Sequence, residues 1–258
     1  TLDQLLPTLA PDPERGLTAV EWPGNGMLVA PVGFVDKPFE QVRDLLLVDL
    51  SANGGHVGIA GGPRSGKSTL LRTLISSLAL THSPREVQFY CLDFGGGGLG
   101  ALADLPHVGS VAGRLDTDRV SRTVAEVTGL IVDRERRFGE LGVDGMASYR
   151  KLRAQGQVTD DPHGDVFLVV DGWFTLRQDF ETLEGAVRQI AAQGLNFGVH
   201  LVLTASRWSE VHHAMRDQIG TRLELRLGDP VDSTIDLRLA ATVPRLPGRG
   251  LTPEKLHF

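Results

Sequence analysis

The sequence has little cysteine, no long apolar run and no excess of positive charge. Its 258 residues include one cysteine, Cys91, so an intrachain disulfide is excluded and a reducing compartment is expected. The longest apolar runs, such as 166–170, are the size of a strand and far below the roughly 18–20 residues of a membrane-spanning helix. No signal peptide is recognisable either. We therefore expect a soluble chain with no direct membrane insertion.

The charge balance is mildly acidic. The 26 Lys and Arg residues against 32 Asp and Glu give a net charge of −6, which argues against nucleic-acid binding because such domains are usually basic. Glycine is abundant instead, with 31 residues in 258 against a usual share of about 7%. Glycine is favoured in turns and where the backbone must approach a ligand closely. Phosphate-binding loops are one such setting.

Short apolar strands alternate with amphipathic helices from residue 56 onward. This pattern predicts an α/β fold with a mostly parallel sheet and helices on both faces. Helices are predicted over 67–80, over 116–138 with Asp116 as the cap, and over 181–193 with Gly194 as the end. Strands are predicted at 56–60, 87–92, 108–112, 166–170, 199–204 and 222–227.

The first fifty residues have a different pattern. Residues 1–28 are interpreted as an irregular lead-in or as containing a short helix around 2–9, and a β-hairpin is predicted over 29–36 and 43–50. Residues 153–165 are polar and predict a surface loop. We interpret 1–258 as a single module, in which 1–50 form a lead-in with a β appendage and 51–258 form the core.

A phosphate-binding motif follows the first core strand. Residues 61–68 read Gly-Gly-Pro-Arg-Ser-Gly-Lys-Ser and fit G-x-x-x-x-G-K-[ST] between a strand and a helix. Backbone amides of such a loop and the positive end of its helix bind phosphates. Lys67 is expected to reach the β- and γ-phosphates, Ser68 to bind Mg²⁺ and Thr69 to approach the α-phosphate. The predicted ATP contacts are Gly62, Pro63, Arg64, Ser65, Gly66, Lys67, Ser68 and Thr69.

A second apolar strand ends in a carboxylate about a hundred residues later. Asp171 follows 166–170, where a phosphate-loop protein needs an acid to hold the metal. Gly172 comes next and offers no base, although a positioned base typically contributes ~10²–10⁴-fold to a rate. The sequence therefore supports binding of ATP and Mg²⁺ better than hydrolysis.

Three further motifs carry a family resemblance over nearly the whole chain. They are Asp-Phe-Gly-Gly-Gly-Gly at 93–98, Val-Asp-Gly-Trp at 170–173 and Pro-Gly-Arg-Gly-Leu at 247–251. With the phosphate loop, they resemble the FtsK/SpoIIIE-like ATPases. More closely they resemble the tandem ATPase modules of type VII (ESX) secretion motors, and most of all the second, middle module.

The resemblance implies a RecA-like P-loop NTPase fold. It also implies a membrane-anchored parent protein at the cytoplasmic face of the inner membrane, whose modules can form hexamers. The implied partners are neighbouring ATPase modules, other secretion-complex subunits, and Esx (WXG100) substrate proteins or their C-terminal signals. In that family the first module carries most of the hydrolysis.

Two residues depart from the pattern of DNA-pumping relatives, and four others are additional candidates for the site. Ser206 stands where DNA-pumping relatives have Gln, and Gly172 where they have Glu. Arg207 and Arg222 are candidates for a finger acting in trans on a neighbour's nucleotide; the alternative is a surface arginine in an ion pair. Arg249 either contacts nucleotide or belongs to a C-terminal turn. Asp93 either supports Lys67 or a metal-bound water, or stabilises a turn.

Two other functions remain open at this point. One is a DNA-translocating motor domain, against which the net charge and the missing Glu argue. The other is a non-hydrolysing domain that nucleotide stabilises and that docks a peptide or a neighbouring module.

Overall fold

The computed structural model describes residues 2–13, 15–51 and 55–258, which form an α/β fold around a seven-stranded sheet. The strands are β1 (Leu9–Asp12), β2 (Gly16–Ala19), β3 (Val29–Lys37), β4 (Val42–Asp49), β5 (Val57–Ala60), β6 (Val87–Asp93), β7 (Val108–Gly113), β8 (Asp165–Asp171), β9 (Val199–Ala205), β10 (Thr221–Leu225) and β11 (Gly250–Leu251). The helices are α1 (Leu2–Leu5), α2 (Lys67–Ala79), α3 (Thr117–Leu141), α4 (Met146–Ala154), α5 (Trp173–Asp179), α6 (Glu181–Gln193), α7 (His213–Gln218) and α8 (Leu237–Thr242).

The central sheet has the strand order β11-β10-β5-β9-β8-β6-β7. All neighbours from β10 to β7 pair in parallel, whereas β11 pairs antiparallel with β10. Every residue of β8 and β9 is buried, as expected for parallel strands covered on both faces. The predicted α/β fold with a mostly parallel sheet is confirmed.

Each face of the sheet has its own apolar core. On one face, the buried side of α2 packs with the β3–β4 hairpin, whose Val32, Val35 and Leu46 belong to the same cluster. On the other face, α3, α5 and α6 pack on the strands. The predicted hairpin therefore contributes to the main core, and the proposed boundary at residue 50 stays a prediction.

One predicted helix is shorter than expected, and two helices were not predicted. The helix predicted around 2–9 ends at Leu5, and β1 begins at Leu9, because Pro7 interrupts helical hydrogen bonding. Helix α6 covers Glu181–Gln193 with Gly194 as its C-cap, as predicted, but Gly194 has φ −56° and a 3₁₀ turn continues to Phe197 before the left-handed Gly198, whose φ is 66°. Helices α4 and α5 lie in stretches that had no predicted element. Asp116 does cap α3, since its side chain accepts from Arg119 N at 3.2 Å.

The carboxyl ends of the parallel strands meet at one edge of the sheet. Asp93 at the end of β6 is in register with Asp171 at the end of β8, and Ala60 of β5 with Ala205 of β9. The candidate residues of the phosphate motif and of the acidic strand therefore lie at the same edge. None of the helices in the described part of the chain is long and apolar enough to cross a membrane.

Candidate functional site

The phosphate motif forms a compact loop between β5 and α2. A Cβ on Gly62 would lie 2.9 Å from Gly228 N, and one on Gly66 would lie 2.9 Å from Gly248 N. Gly66 also has φ 107°, which L side chains rarely adopt. Gly248 N donates to Ser65 O at 2.8 Å. Close backbone contacts thus require glycine at positions 62 and 66. The segment around residue 248 packs against the loop and donates a hydrogen bond to it.

Lys67 is folded back on the loop. Its Nζ donates to Gly61 O at 2.6 Å and to Gly62 O at 2.9 Å. Burial lowers the pKa of the Lys67 ammonium, while the charges of Asp171 and Glu210 oppose that shift. The amine thus lies within the field of two carboxylates at the edge where a triphosphate is expected.

Asp171 is buried, and only one of its two carboxylate oxygens has a hydrogen-bond partner among the described residues. Its Oδ1 accepts from Thr204 Oγ1 at 2.7 Å, whereas its Oδ2, also inaccessible to solvent, has no hydrogen-bond partner among the described residues. A buried unpaired carboxylate oxygen is costly, and a cation removes that cost. This oxygen is the observation that fits a metal here. No group of three or more His, Cys, Asp or Glu among the described residues could hold a metal ion. Mg²⁺ is usually held by one or two carboxylates together with phosphates.

The glycine-rich stretch 94–98 covers this part of the site. A Cβ on Gly95 would collide with the Asp171 carboxylate, and one on Gly98 would lie 3.6 Å from Ser68 Cβ. Asp93 shapes the stretch, because its carboxylate accepts from Gly97 N at 3.1 Å and Leu99 N at 2.7 Å. Asp93 ends β6 and its carboxylate thus stabilises the turn that follows, while its support of Lys67 or of a metal-bound water stays a prediction.

Gly172 is constrained as well as lacking a base. Its φ is 103°, and a Cβ there would lie 3.2 Å from Phe94 Cβ. Its N–H donates to Thr204 Oγ1 at 2.8 Å. The backbone conformation and this close contact therefore disfavour a side chain at position 172.

The candidate arginines lie in three different settings. Arg207 is 57% exposed and lies 4.0 Å from Glu210, while Ser206 N donates to Glu210 Oε2 at 2.9 Å. Arg222 is near the start of β10, away from the phosphate edge, and donates to Ile219 O and Arg216 O at the end of α7. Both arginines have partners within the chain, and a finger role for either stays a prediction.

Arg249 lines a cavity beside the phosphate loop. The cavity has a volume of about 270 Å³ and is bordered by Gly66 and Thr69. In the described part of the chain, the Arg249 side chain has no hydrogen bond or ion pair. A larger cavity of about 640 Å³ lies at the opposite edge of the sheet, next to Glu86 and Asp165 at the amino ends of β6 and β8, so cavity size does not mark the site.

Comparison with known proteins places this geometry in a family. A model of the FtsK/SpoIIIE family matches residues 29–257, which include the hairpin, the phosphate loop and Asp171. The chain belongs to the FtsK/SpoIIIE family. It is 60% identical over 259 residues to the ESX secretion system protein EccC of Thermomonospora curvata, a match that covers 100% of this chain and 20% of that protein.

A second relative and one solved structure agree with this assignment, and a more distant structure shares the fold. The ESX-4 secretion system protein EccC4 of Mycobacterium tuberculosis is 51% identical over 237 residues, covering 92% of this chain and 19% of the relative. The structure of Thermomonospora curvata EccC (ATPases 2 and 3) in complex with a signal sequence peptide matches with a TM-score of 0.96 and 60% identity, over 100% of this chain and 46% of that chain. EssC (ATPases 2 and 3) from Geobacillus thermodenitrificans shares the fold, with a TM-score of 0.77 at 22% identity over 97% of this chain and 46% of that chain.

The predicted resemblance to ATPase modules of the ESX motor is confirmed, as is the P-loop ATPase fold. This FtsK/SpoIIIE module spans about a fifth of the length of the curated relatives it matches. Its correspondence to the second, middle module stays a prediction.

Two residues of the site were missed from the sequence. Thr204 Oγ1 hydrogen-bonds to both Asp171 and Gly172 N. The charge of Glu210 raises the pKa of Lys67, and its carboxylate accepts a hydrogen bond from Ser206 N. Thr204 had a recognisable signal, since it is a polar residue near the end of an apolar strand. Glu210 had none, because its position depends on the fold of the loop after β9.

Proposed function

We propose that this chain is the ATP- and Mg²⁺-binding module of a type VII secretion motor. The observation that carries the proposal is the buried Asp171 Oδ2, which has no hydrogen-bond partner among the described residues and lies at the sheet edge where the phosphate loop begins. A carboxylate in that state is suited to a metal-bound triphosphate. Membership of the FtsK/SpoIIIE family supports the same ligand.

Different residues of the site would bind different parts of the Mg²⁺-bound triphosphate. The loop amides and Lys67 would bind the phosphates, once the ammonium is released from Gly61 O and Gly62 O. Thr69 would approach the α-phosphate, and Arg249 faces the adjoining cavity. Ser68 and Asp171 would hold Mg²⁺, which supplies neutralisation of the phosphate charge.

We further propose that the module hydrolyses ATP weakly or not at all. Gly172 offers no carboxylate, and its φ of 103° disfavours any side chain. In this proposal bound nucleotide organises the module and its contacts. Arg207 and Arg222 are the candidates for action on a neighbouring module's nucleotide.

The wider setting of the proposal comes from the relatives. Proteins named EccC belong to ESX secretion systems, and one solved structure holds a signal sequence peptide. By similarity, we propose that the module works at the cytoplasmic face of the membrane with neighbouring ATPase modules and other secretion subunits. Esx (WXG100) proteins or their C-terminal signals would be the cargo.

Calorimetric titration of the chain with Mg-ATP, together with a turnover assay, tests the proposal. Wild type should bind Mg-ATP. Lys67→Ala should lose at least tenfold in affinity, because the substitution removes the ammonium that would contact the phosphates. Lys151→Ala, an exposed lysine at the end of α4, is the matched control and should bind as wild type does. A wild-type chain that binds no ATP would refute nucleotide binding. Rapid turnover abolished by Lys67→Ala would refute weak hydrolysis.

A further inference from the structure

The loop after β9 is attached to its neighbours through Glu210. The main-chain oxygen of Glu210 accepts hydrogen bonds from Trp173 Nε1 at 3.2 Å and from Arg177 Nη1 at 2.8 Å. Both donors belong to α5, the helix that begins directly after Gly172. The backbone of Glu210 is therefore fixed to the helix that follows the acidic strand.

The carboxylate of Glu210 is turned back to the end of β9. Its Oε2 accepts from Ser206 N at 2.9 Å, and the side chain is 12% exposed. The peptide unit that contains Ser206 N also contains Ala205 O, which accepts from Gly61 N of the phosphate loop at 3.1 Å. Because the oxygen and the hydrogen of a trans peptide unit point in opposite directions, the Ser206 N–H points away from the phosphate-loop strand. The Glu210 carboxylate therefore lies on the side of β9 where β8 is the neighbour.

The end of β8 has no acidic side chain of its own after Asp171. Gly172 N donates to Thr204 Oγ1 of β9 at 2.8 Å, so the two strand ends remain connected as far as residue 172. Trp173, the next residue, binds the main-chain oxygen of Glu210. The neighbouring loop thus brings a carboxylate to the strand end where Gly172 offers none.

The same carboxylate affects Lys67, the residue expected to reach the β- and γ-phosphates. Burial lowers the pKa of the Lys67 ammonium, and the charges of Asp171 and Glu210 oppose that shift. Arg207 Nε lies 4.0 Å from Glu210 Oε1, but the Arg207 side chain is 57% exposed, and exposed pairs interact weakly. Glu210 therefore keeps its negative charge near the place expected for the γ-phosphate.

We propose that Glu210 is a specificity-determining residue that sets the affinity of the module for ATP relative to ADP. The inference rests on the proposed binding of Mg-ATP. The γ-phosphate adds negative charge that ADP lacks, and a nearby carboxylate repels it. The Mg²⁺ held by Asp171 would neutralise that residue, whereas the hydrogen bond from Ser206 N leaves the charge of Glu210 in place.

This role is compatible with weak hydrolysis. A hydrogen bond from Ser206 N holds one carboxylate oxygen, and the bonds from Trp173 and Arg177 hold the backbone. The position of Glu210 is thus set by the chain itself and not by contacts with a bound nucleotide. We expect its charge to act on the binding of the γ-phosphate rather than on turnover.

Calorimetric titration of the whole chain with Mg-ATP and with Mg-ADP tests the proposal. Glu210→Gln removes the charge but keeps an oxygen that can accept from Ser206 N. It should raise the affinity for Mg-ATP about tenfold relative to that for Mg-ADP. Glu135→Gln is the matched control, because it removes the same charge at an exposed position near the end of α3. The control should leave the ratio of the two affinities as in wild type.

Two further variants at this position separate charge from structure. Glu210→Asp keeps the charge and should keep the ratio within about threefold of wild type, since a shorter side chain moves the charge only slightly. Glu210→Ala removes the charge but keeps the main-chain oxygen that binds α5, so it should raise the ratio as Glu210→Gln does. Thermal melting without ligand establishes which variants are folded, and Glu210→Ala decides the matter where Glu210→Gln is unfolded.

The other outcomes are distinguishable. A ratio that the folded uncharged variants leave unchanged would refute the specificity role, and so would a Glu210→Asp chain that behaves as Glu210→Gln does. Loss of ATP turnover in Glu210→Gln with an unchanged ratio would show that Glu210 acts as a catalytic base instead. A wild-type chain that binds neither nucleotide would refute the proposed function, and this inference with it.

Discussion

Thr204 Oγ1 donates a 2.7 Å hydrogen bond to Asp171 Oδ1 and accepts one of 2.8 Å from Gly172 N. One hydroxyl therefore fixes both the acidic residue and the backbone that follows it. Because Oδ1 accepts from Thr204, Oδ2, which has no partner in the described part of the chain, is the oxygen that we propose for the metal. Thr204 is accordingly a positioning residue for Asp171.

The first prediction concerns this pair. Asp171→Asn should abolish the gain in ATP affinity that Mg²⁺ gives, because the carboxylate charge is lost. Thr204→Val, nearly the same shape, should reduce that gain about tenfold, the usual effect of removing a partner that orients a ligand. The measurement is ATP titration with Mg²⁺ and with EDTA.

Thr128→Val is its control, since Thr128 Oγ1 donates to Val124 O within α3, far from the site in sequence and on another element. The control should leave the Mg²⁺ effect intact. An unchanged Mg²⁺ effect in both Asp171→Asn and Thr204→Val would contradict the assignment of the metal site.

The second prediction is that Gly172→Glu does not create an efficient hydrolase. A residue with a side chain at φ 103° carries a strain of about 1–2 kcal/mol, and contact with Phe94 adds to it. The expected result is a lower free energy of unfolding in urea and no increase in ATP turnover. Gly172→Ala should show the same loss of stability, which separates strain from charge.

Gly129→Glu provides the comparison for this substitution. Gly129 is an exposed helical position with open space around its Cα, so Glu there should keep or raise stability. A turnover gain of a hundredfold or more in Gly172→Glu, the scale of a working base, would show that the backbone adapts.

The sequence predicted most of the parallel sheet and the phosphate loop because both depend on local patterns. Apolar runs of strand length, the loop motif and the carboxylate at Asp171 are each readable within a few residues. Their meeting at one edge follows from the parallel topology. Short elements were not predicted: α5 begins after a left-handed glycine and has no periodic signal, and the 3₁₀ turn from Gly194 to Phe197 after α6 has none either.

The rest depended on contacts between residues far apart in the chain. The cavity joins Phe34, Thr69 and Arg249, and no window of sequence contains all three. Arg134 did have a signal, since it follows Ile131 at helical spacing on the apolar stripe of α3. Its partner Asp161 lies 27 residues later, in a stretch predicted to be a surface loop.

The third prediction concerns that buried ion pair. Arg134 is fully buried and donates to Asp161 Oδ2 at 3.2 Å and to the carbonyls of Phe197, His163 and Gly164 at 2.6–2.8 Å. Arg134→Met would leave a buried carboxylate and three carbonyls with fewer donors. We expect a loss of about 3–5 kcal/mol in unfolding free energy, measured by urea denaturation.

Arg136→Met is the matched control on the same helix. Arg136 is 60% exposed and pairs with Glu140, and exposed pairs four residues apart are worth about 0.3–0.5 kcal/mol. Similar losses for the two variants would contradict a structural role of the buried network.

The last prediction is that the free energy of unfolding falls on mild acidification, because buried histidines resist protonation in the folded chain. His56 Nδ1 accepts from Leu201 N at 2.8 Å, and its Nε2 lies 2.9 Å from Ala191 O, so the neutral ring satisfies both contacts. Burial, helped by the nearby His200, lowers the pKa of His56 from 6.5 to about 4. Burial also lowers the pKa of His82 and His107.

At His56, the unfolded chain therefore binds a proton as the pH falls through 6.5, whereas the folded chain binds it only near pH 4. Stability is complete above pH 6.5 and decreases as the pH falls through this window, by about 3 kcal/mol for His56 alone. Urea denaturation at several values between pH 7.5 and 4.5 should show this slope. His56→Gln should flatten it by close to one proton, whereas His213→Gln, at an exposed position, should not. A slope that His56→Gln leaves unchanged would contradict the assignment.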